Sequence, residues 1–322
     1  MWDINGLKDL VLTHAYPVMM EEYEARPTVR EQIFQIEALS DDNLYGTKGS
    51  VLSGAGQLSE IPHGGDIPED AIAPVGTWYA RFRKFAQVHA VPFEALNQST
   101  AEAVGRELSE VARSIGAAWA MQKEDIAARI FNKGSLTAGD SVFDGSFTNN
   151  ADPYPLFVYD GLPFFDTAHA DLAGNTYANH VVSAALTSTT LQAATILMEN
   201  TNAKDSRGNR ILIRPDTLLV PSALQFSAAT LLNSTLLPGS ANNDVNPLQS
   251  KYNLISWPAL TQSAGWFLGE SRKGITFFDS GAPRIRVFVD EKKQVYNFFF
   301  SSYAGVVVKD WHYWSAHNVV AA

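Results

Sequence analysis

The feature that most constrains the fold is one long amphipathic helix, predicted from Asn97 to Gly134. Ser99 and Glu102 match a capping box at its start, and Lys133 with Gly134 supplies a stop. About 34 residues at 1.5 Å each give a helix of roughly 50 Å, far longer than average. Gly105 and Gly116 lower the stability of the helix relative to Ala. We therefore expect them to mark positions where another segment packs closely against it. Apolar residues recur at the spacing of one buried face, which favours this over a coiled coil: Val104, Leu108, Val111, Ile115, Trp119, Ile126 and Ile130.

A second segment, Arg214 to Leu268, predicts a mixed α/β unit. Leu218 to Val220 is a short apolar run closed by Pro221, which is typical of a buried strand. Ser222 is expected to cap a following helix, and a polar loop extends from Asn233 to Ser250. No His, Cys or carboxylate pair stands at a catalytic spacing in this unit. The helix and the later strands are predicted from their apolar residues: Leu224, Phe226, Ala229, Leu231 and Leu232, then 254–257 and 266–268.

The remaining segments differ sharply in character. Met1 to Leu44 has little core of its own and is interpreted as an arm that packs on something else. Tyr45 to Val75 is rich in Gly and Pro and predicts a long exposed excursion, which returns as a strand over Trp78 to Val91. Thr187 to Asn200 predicts a second helix. From Arg284 onward the alternation indicates strands, with a hairpin turn at Asp290 to Lys293.

Composition limits the classes of function. The chain of 322 residues contains no cysteine, which excludes disulfides, thiolate metal sites and a cysteine nucleophile. Its net charge of −10 argues against a protein that grips nucleic acid, and the densest basic cluster, Arg81, Arg83 and Lys84, is small. No window approaches the roughly 20 apolar residues of a membrane span. The N-terminus has no secretory leader, so we expect a product that is cytoplasmic when made.

The strongest catalytic suspects are Asp166, His169 and His180, because Asp and His together bind metals or act as general bases. The two histidines are eleven positions apart on a predicted loop, and no third ligand has a recognisable spacing. His63 to Asp66 lacks the flanking strand and helix of a phosphate-binding loop. His312 and His317 are expected to face a strand surface. The sequence therefore predicts no catalytic residue, metal or cofactor, and a metal-assisted hydrolase is the weakest of three alternatives.

Several short motifs follow one another in a characteristic order. ARIFN ends the long helix at 128–132, and DGLPFF at 160–165 is followed by His169 and by GNTYAN at 174–179. DSRGN at 205–209 precedes Arg214-Pro215 and the α/β unit described above. In this order, over Trp78 to Trp314, the motifs resemble stretches of the major capsid proteins of tailed bacteriophages.

The resemblance implies an α+β protein with the phage capsid fold of the Hong Kong 97 type. It implies an N-terminal arm (1–44), an extended loop (45–91) that forms a β-hairpin over a neighbouring subunit, and a peripheral domain (92–183 and 282–322) with spine helix 98–133. Residues 184–281 would be the axial domain, which meets its copies around five-fold and six-fold axes. Particle stability would then rest on many weak contacts, since disulfide cross-links are excluded by composition.

The same resemblance implies partners. These are many copies of the chain in pentamers and hexamers, a separate scaffolding protein, a portal, decoration proteins, and packaged double-stranded DNA contacted non-specifically, with no membrane. The product would reside in the virion after assembly in the host cytoplasm. An encapsulin-like nanocompartment shell is the nearest alternative. Ten residues are candidates for the assembly interface: Gly54, Gly56, Trp78, Arg81, Arg83, Asn233, Asn242, Asn243, Asp244 and Asn246.

Overall fold

In the computed structural model the long helix runs from Ala101 to Asn132 (α3, the spine helix), about 48 Å by the usual rise per residue. The predicted face is buried at Leu108, Ile115, Trp119 and Ile126. The structure describes residues 11–39, 44, 46–54, 60–63, 66, 69–70, 72–94, 101–135, 158–237 and 244–319. The capping residue proposed at Ser99 lies outside these ranges.

The N-terminal segment packs along the spine helix. A π-helical turn, Val11–Ala15, leads into α1, Tyr16–Ala25, and a short helix α2 follows at Arg30–Ile33. Pro17 falls in the first turn of α1, directly after the π-helical turn. Met19 is fully buried against the spine helix. The predicted arm, over its described residues, therefore lies on its own chain.

Two five-stranded sheets form within the described residues. In the first, strand β13 pairs along Val295–Ser301 with β12 and, along the same residues, with β4. Because one strand has two edges, β4 and β12 lie on opposite sides of β13. The strands of this sheet are β1 (Gln35–Ala38), β4 (Arg83–Pro92), β11 (Ile275–Asp279), β12 (Arg284–Asp290) and β13 (Val295–Val308).

The second sheet carries the predicted α/β unit. All four residues of β8 are buried, as its apolar run predicted. The strand order is β7-β14-β10-β8-β9. Helix α4, with its capping box from Thr187 to Thr190, and helix α5 contribute to the same core. The bounds are β7 His180–Val181, α4 Ser188–Ile196, β8 Thr217–Val220, α5 Gln225–Asn233, β9 Asn253–Ser256, β10 Trp266–Gly269 and β14 Trp314–His317; two short strands, β5 His169–Ala170 and β6 Thr176–Tyr177, pair separately.

One detail of the predicted helix after β8 is wrong. Ser222 makes no capping hydrogen bond, because a 3₁₀ turn at Ser222–Leu224 precedes α5. Ala228 and Leu231 are buried in the core, and Phe226 lies on the opposite side of the same helix. Phe226 is consequently 79% exposed.

The strand predicted over Trp78 to Val91 is two strands. Strand β3, Pro74–Arg81, pairs with β2, Gly46–Leu52, and β4 pairs with β13. The change of partner falls at Phe82, where the buried positions switch parity: Ala80 and Phe82 are buried, and then Arg83 and Phe85. Strands β2 and β3 with the segment between them (46–81) are called the extended hairpin below.

Candidate assembly surfaces and buried polar clusters

The three catalytic suspects bind different partners. The Asp166 carboxylate accepts a hydrogen bond from the backbone N–H of Ala168 at 2.9 Å, which closes a local turn. His169 Nδ1 lies 2.6 Å from Asp160, and its ring stacks on Trp311. His180 Nε2 lies 2.9 Å from the carbonyl oxygen of Val319. In the ranges that the structure describes, no three His, Cys, Asp or Glu side chains are grouped to hold a metal.

The C-terminal histidines have structural surroundings. His317 lies on β14 and is buried, with its ring stacked 4.1 Å from Trp266 and its Nε2 3.0 Å from the Ser315 hydroxyl. Burial, with a contribution from neighbouring His180, lowers the pKa of His317 to about 3. His312 instead lies in the turn before β14 and bonds to Asp310, so the expectation that it faces a strand surface is wrong.

The motif residues build turns and joints. The Asn179 amide donates to the carbonyl oxygen of Phe164 at 2.8 Å and accepts from the backbone N–H of Asp166 at 2.9 Å. Asp205 accepts from the backbone N–H groups of Arg207 and Asn209, an Asx-type turn. In these motifs, short polar side chains hydrogen-bond to nearby backbone groups and so fix the conformation of the loops.

A buried ionic cluster, which sequence reasoning missed, ties the arm to the spine helix. Lys123 is fully buried, and its ammonium donates to the Asp279 carboxylate, to the Tyr23 hydroxyl at 2.6 Å and to the Gly281 carbonyl at 2.8 Å. Burial lowers the pKa of Lys123 to about 8, although Asp279 opposes the shift. The signal was present, since Lys123 stands four residues after Trp119 on the buried face of the helix.

A second ionic contact of the cluster lies beside the first. Arg30, 2% exposed, donates to Glu124 at 3.1 Å. Glu124 also accepts from the Trp257 indole at 3.0 Å and from the backbone N–H of Val29 at 3.2 Å. The arm, the spine helix and the end of β9 therefore meet at this pair of opposite charges. A buried ion is costly unless it has such a partner.

The candidates on the extended hairpin occupy different environments. A Cβ on Gly54 would lie 2.1 Å from the Asp205 carboxylate, so this glycine marks a close approach. Trp78 is half-buried, lies over Gly49 and receives the Lys309 ammonium 5.1 Å from its ring. Arg81 is partly exposed, whereas Arg83 is buried in this chain. Gly56 lies outside the described residues.

The candidates on the polar loop, 233–250, also differ in their exposure to solvent. Asn233 and Asp244 are exposed. Asn246 is only 3% exposed and holds the loop base, since its amide donates to the carbonyls of Leu231 and Ser234 at 2.7 and 2.9 Å. Asn242 and Asn243 lie outside the described residues.

A spine helix on a sheet with a long hairpin, beside a separate α/β core, defines a shell protein of the Hong Kong 97 type. The family model described as phage capsid protein matches residues 79–316, and the chain belongs to this family. It is therefore a structural protein of the icosahedral head, located in the virion capsid, and the hydrolase and nanocompartment alternatives are not favoured. No described helix is long and apolar enough to cross a membrane.

Solved structures support the same fold at low sequence identity. The capsid of the cyanophage P-SCSP1u is 12% identical with a TM-score of 0.53, covering 92% of this chain and 89% of that one. The bacteriophage JBD30 capsid is 14% identical with a TM-score of 0.52, covering 74% and 92%. The capsid of the empty GTA particle is 12% identical with a TM-score of 0.51, covering 91% of each. A search of curated protein sequences found no match.

Proposed function

We propose that the chain assembles as pentamers and hexamers into the icosahedral head that encloses the phage genome. Residues 184–281 act as the axial domain, 92–183 and 282–322 as the peripheral domain, 45–91 as the extended loop over a neighbouring subunit, and 1–44 as the arm. The observation that carries the proposal is the distribution of uncovered apolar side chains. Phe226, Val245 and Leu212 are 79%, 77% and 71% exposed within the proposed axial domain.

Exposed apolar residues of this size favour contacts with other copies. Val245 lies next to Leu236 through an isolated antiparallel bridge at the base of the polar loop, and Leu236 is itself 46% exposed. The described base of the polar loop is therefore apolar, and the sequence of 238–243 between its two sides contains Gly, Ser and two Asn. This combination suits a contact around a symmetry axis, where burial supplies stability and polar groups supply register.

The proposed partners are those that the family resemblance implies. Scaffolding protein acts during assembly, a portal occupies one vertex, and decoration proteins bind the finished surface. Packaged double-stranded DNA is contacted non-specifically, because a chain of net charge −10 offers few phosphate-neutralising groups.

Electron microscopy of the expressed protein, alone and with its scaffolding protein, tests the proposal. We expect shells or capsomers, and Phe226→Ser with Val245→Ser should abolish them while the subunit keeps its circular dichroism spectrum. Met121→Ser, at a residue 63% exposed on the spine helix and outside the proposed axial domain, controls for loss of surface apolarity in general. A protein that stays monomeric under all these conditions contradicts the proposal.

A further inference from the structure

The extended hairpin contacts the body of its own chain at two separate places. Near its base, a Cβ on Gly76 would lie 2.5 Å from the carbonyl oxygen of Tyr159, so β3 lies directly against that backbone. Farther along the hairpin, Gly54 and Asp70 lie against the turn at 205–209, which is called the seat below. A single contact would act as a pivot, whereas two separated contacts fix the direction of the hairpin.

The two sides of the hairpin are tied together where it meets the seat. Ser53 is only 3% exposed, and its backbone N–H donates to the carbonyl oxygen of Ala73 at 2.8 Å. The Ser53 hydroxyl accepts from the backbone N–H of Ala73 at 3.0 Å. Gly54 and Asp70 lie just beyond this tie, one on each side. A contact made by either residue therefore holds the hairpin as a unit.

The seat is rigid. One oxygen of the Asp205 carboxylate accepts from the backbone N–H groups of Arg207 at 2.9 Å and Asn209 at 2.8 Å, and the other accepts from the Asn209 amide at 3.1 Å. Because these bonds hold the carboxylate, it cannot swing away from a side chain at position 54. A Cβ on Gly54 would overlap the carboxylate, so only glycine fits at this approach.

Charge also directs the hairpin to the seat. Between Lys48 and Arg81 the sequence has no Lys or Arg and has four carboxylates: Glu60, Asp66, Glu69 and Asp70. The seat supplies a cation, since Arg207 donates to Asp70 at 2.6 Å. The two side chains are 27% and 46% exposed. An ion pair this exposed adds little to the stability of a fold, so we expect its effect on the direction of the hairpin instead.

We propose that the seat holds the extended hairpin of the same chain in the direction in which it meets a neighbouring subunit, with Arg207 as the positioning residue. This inference rests on the proposed function, and it gives the direction of the hairpin an origin within its own chain. A hairpin that is already directed before contact loses less conformational freedom on assembly. The seat lies in the proposed axial domain, and β4 joins the hairpin to the peripheral sheet, so the hairpin also bridges the two domains.

Double electron–electron resonance between two spin labels measures the direction of the hairpin without assembly. The chain has no cysteine, so Glu60→Cys on the hairpin and Met121→Cys on the spine helix, both exposed, take the labels. Unassembled subunits should give one narrow distance distribution, which Arg207→Ala should broaden. Arg207→Lys keeps the cation and should restore most of the narrow distribution. Arg210→Ala, at an exposed arginine next to the seat, is the matched control and should change nothing.

A charge reversal tests the pairing itself. Arg207→Asp and Asp70→Arg should each broaden the distance distribution, and the two together should recover part of the narrow one, because the opposite charges then face each other again. Gly54→Ala should move the distribution to a different mean distance, since the methyl group displaces the hairpin from the seat. A double reversal as broad as either single reversal would contradict the pairing of Asp70 with Arg207.

Assembly gives the second measurement. If a released hairpin points in the competent direction about a tenth of the time, Arg207→Ala should raise the protein concentration needed for assembly about tenfold. Light scattering with electron microscopy determines this threshold, and Arg210→Ala should leave it unchanged.

Each alternative result overturns a stated part of the inference. An unchanged distance distribution in Arg207→Ala would show that the seat does not hold the hairpin. A broadened distribution with an unchanged or lower threshold would show that assembly does not use this direction. Failure of the parent protein to form particles would contradict the proposed function and the role of the seat in assembly, while the distance distributions would still decide whether the seat holds the hairpin.

Discussion

Gly116 of the spine helix lies directly against the backbone of Met19 in the arm. A Cβ on Gly116 would stand 2.5 Å from the Met19 carbonyl oxygen, a contact that side chains do not make. Because the obstacle is backbone, the arm must shift to admit even one methyl group. The glycine that weakens the helix in isolation is thus the residue that lets the arm dock.

The first prediction concerns this contact. Gly116→Ala gains about 1 kcal/mol of helix propensity but forces the arm away, which we expect to cost about 1–3 kcal/mol. The variant should unfold at a lower temperature than the parent and lose residues of the arm faster in limited proteolysis. Ser114→Ala, at an exposed position on the same helix, gains propensity without a steric conflict. Stabilisation of Gly116→Ala to the same degree as Ser114→Ala would contradict the assigned contact.

The second prediction concerns the buried ionic cluster. Lys123→Met leaves the Asp279 carboxylate without its main cation, and we expect a loss of about 3–5 kcal/mol in the free energy of unfolding. The double variant Lys123→Met with Asp279→Asn removes both charges and should be more stable than Lys123→Met alone. Arg113→Met, in the exposed pair with Glu110, should cost less than about 1 kcal/mol. Chemical denaturation measures these variants and Asp279→Asn alone, which completes the double-mutant cycle. Additive effects at positions 123 and 279 would refute the coupling.

The sequence predicted those parts of the fold whose signal is periodic. The face of the spine helix and the buried strand β8 were both confirmed, because Ile115, Ile126 and Leu218 take their environment from local spacing. The apolar residues of α5 did not indicate which of its sides faces the core, and the structure buries Ala228 and exposes Phe226.

Lys123 is an example of a buried residue whose environment could not be predicted from the sequence. A charged residue on a buried face is explained only by its partners, and Asp279 is 156 positions away in the sequence. The parity switch at Phe82 is similar, since it reflects a change of pairing from β2 to β13 that is set by tertiary structure. The ten interface candidates stay predictions, because the surroundings of an assembled subunit include other copies.

The third prediction uses the lowered pKa of His317. Its folded-state pKa of about 3 lies below the ordinary value of 6.5, so the unfolded chain binds a proton that the folded chain refuses. The stability that this group contributes is therefore fully present above pH 6.5 and is lost as the pH falls toward 3. At 1.36 kcal/mol per pKa unit the loss approaches about 4–5 kcal/mol.

Urea denaturation between pH 7 and pH 4 measures this effect. His317→Gln cannot titrate, so its free energy of unfolding should fall less steeply over that interval, even though the variant is less stable at pH 7. A His317→Gln slope equal to that of the parent would show that His317 is not held neutral in the folded chain.

The fourth prediction separates folding from assembly at the polar loop. The backbone N–H of Leu237 donates to the Asp244 carbonyl at 2.8 Å, and Leu236 bridges to Val245, so the loop is closed at its base. Replacing 238–243 with a two-residue turn should leave the core and the denaturation midpoint almost unchanged, because these base contacts remain.

Asn246→Ala should instead impair folding rather than assembly. It leaves the exposed residues of the loop in place but removes the amide that donates to the carbonyls of Leu231 and Ser234. We expect it to lower the free energy of unfolding by about 1–3 kcal/mol.

Size-exclusion chromatography and electron microscopy distinguish the two variants. The shortened loop should give folded subunits that fail to form capsomers, because its contact around the symmetry axis has been removed. Asn246→Ala should form capsomers at temperatures below its own unfolding transition, since the contacting residues remain. Normal capsomers from the shortened variant would place the axial contact elsewhere in 184–281, at the exposed side chains of Phe226 or Leu212.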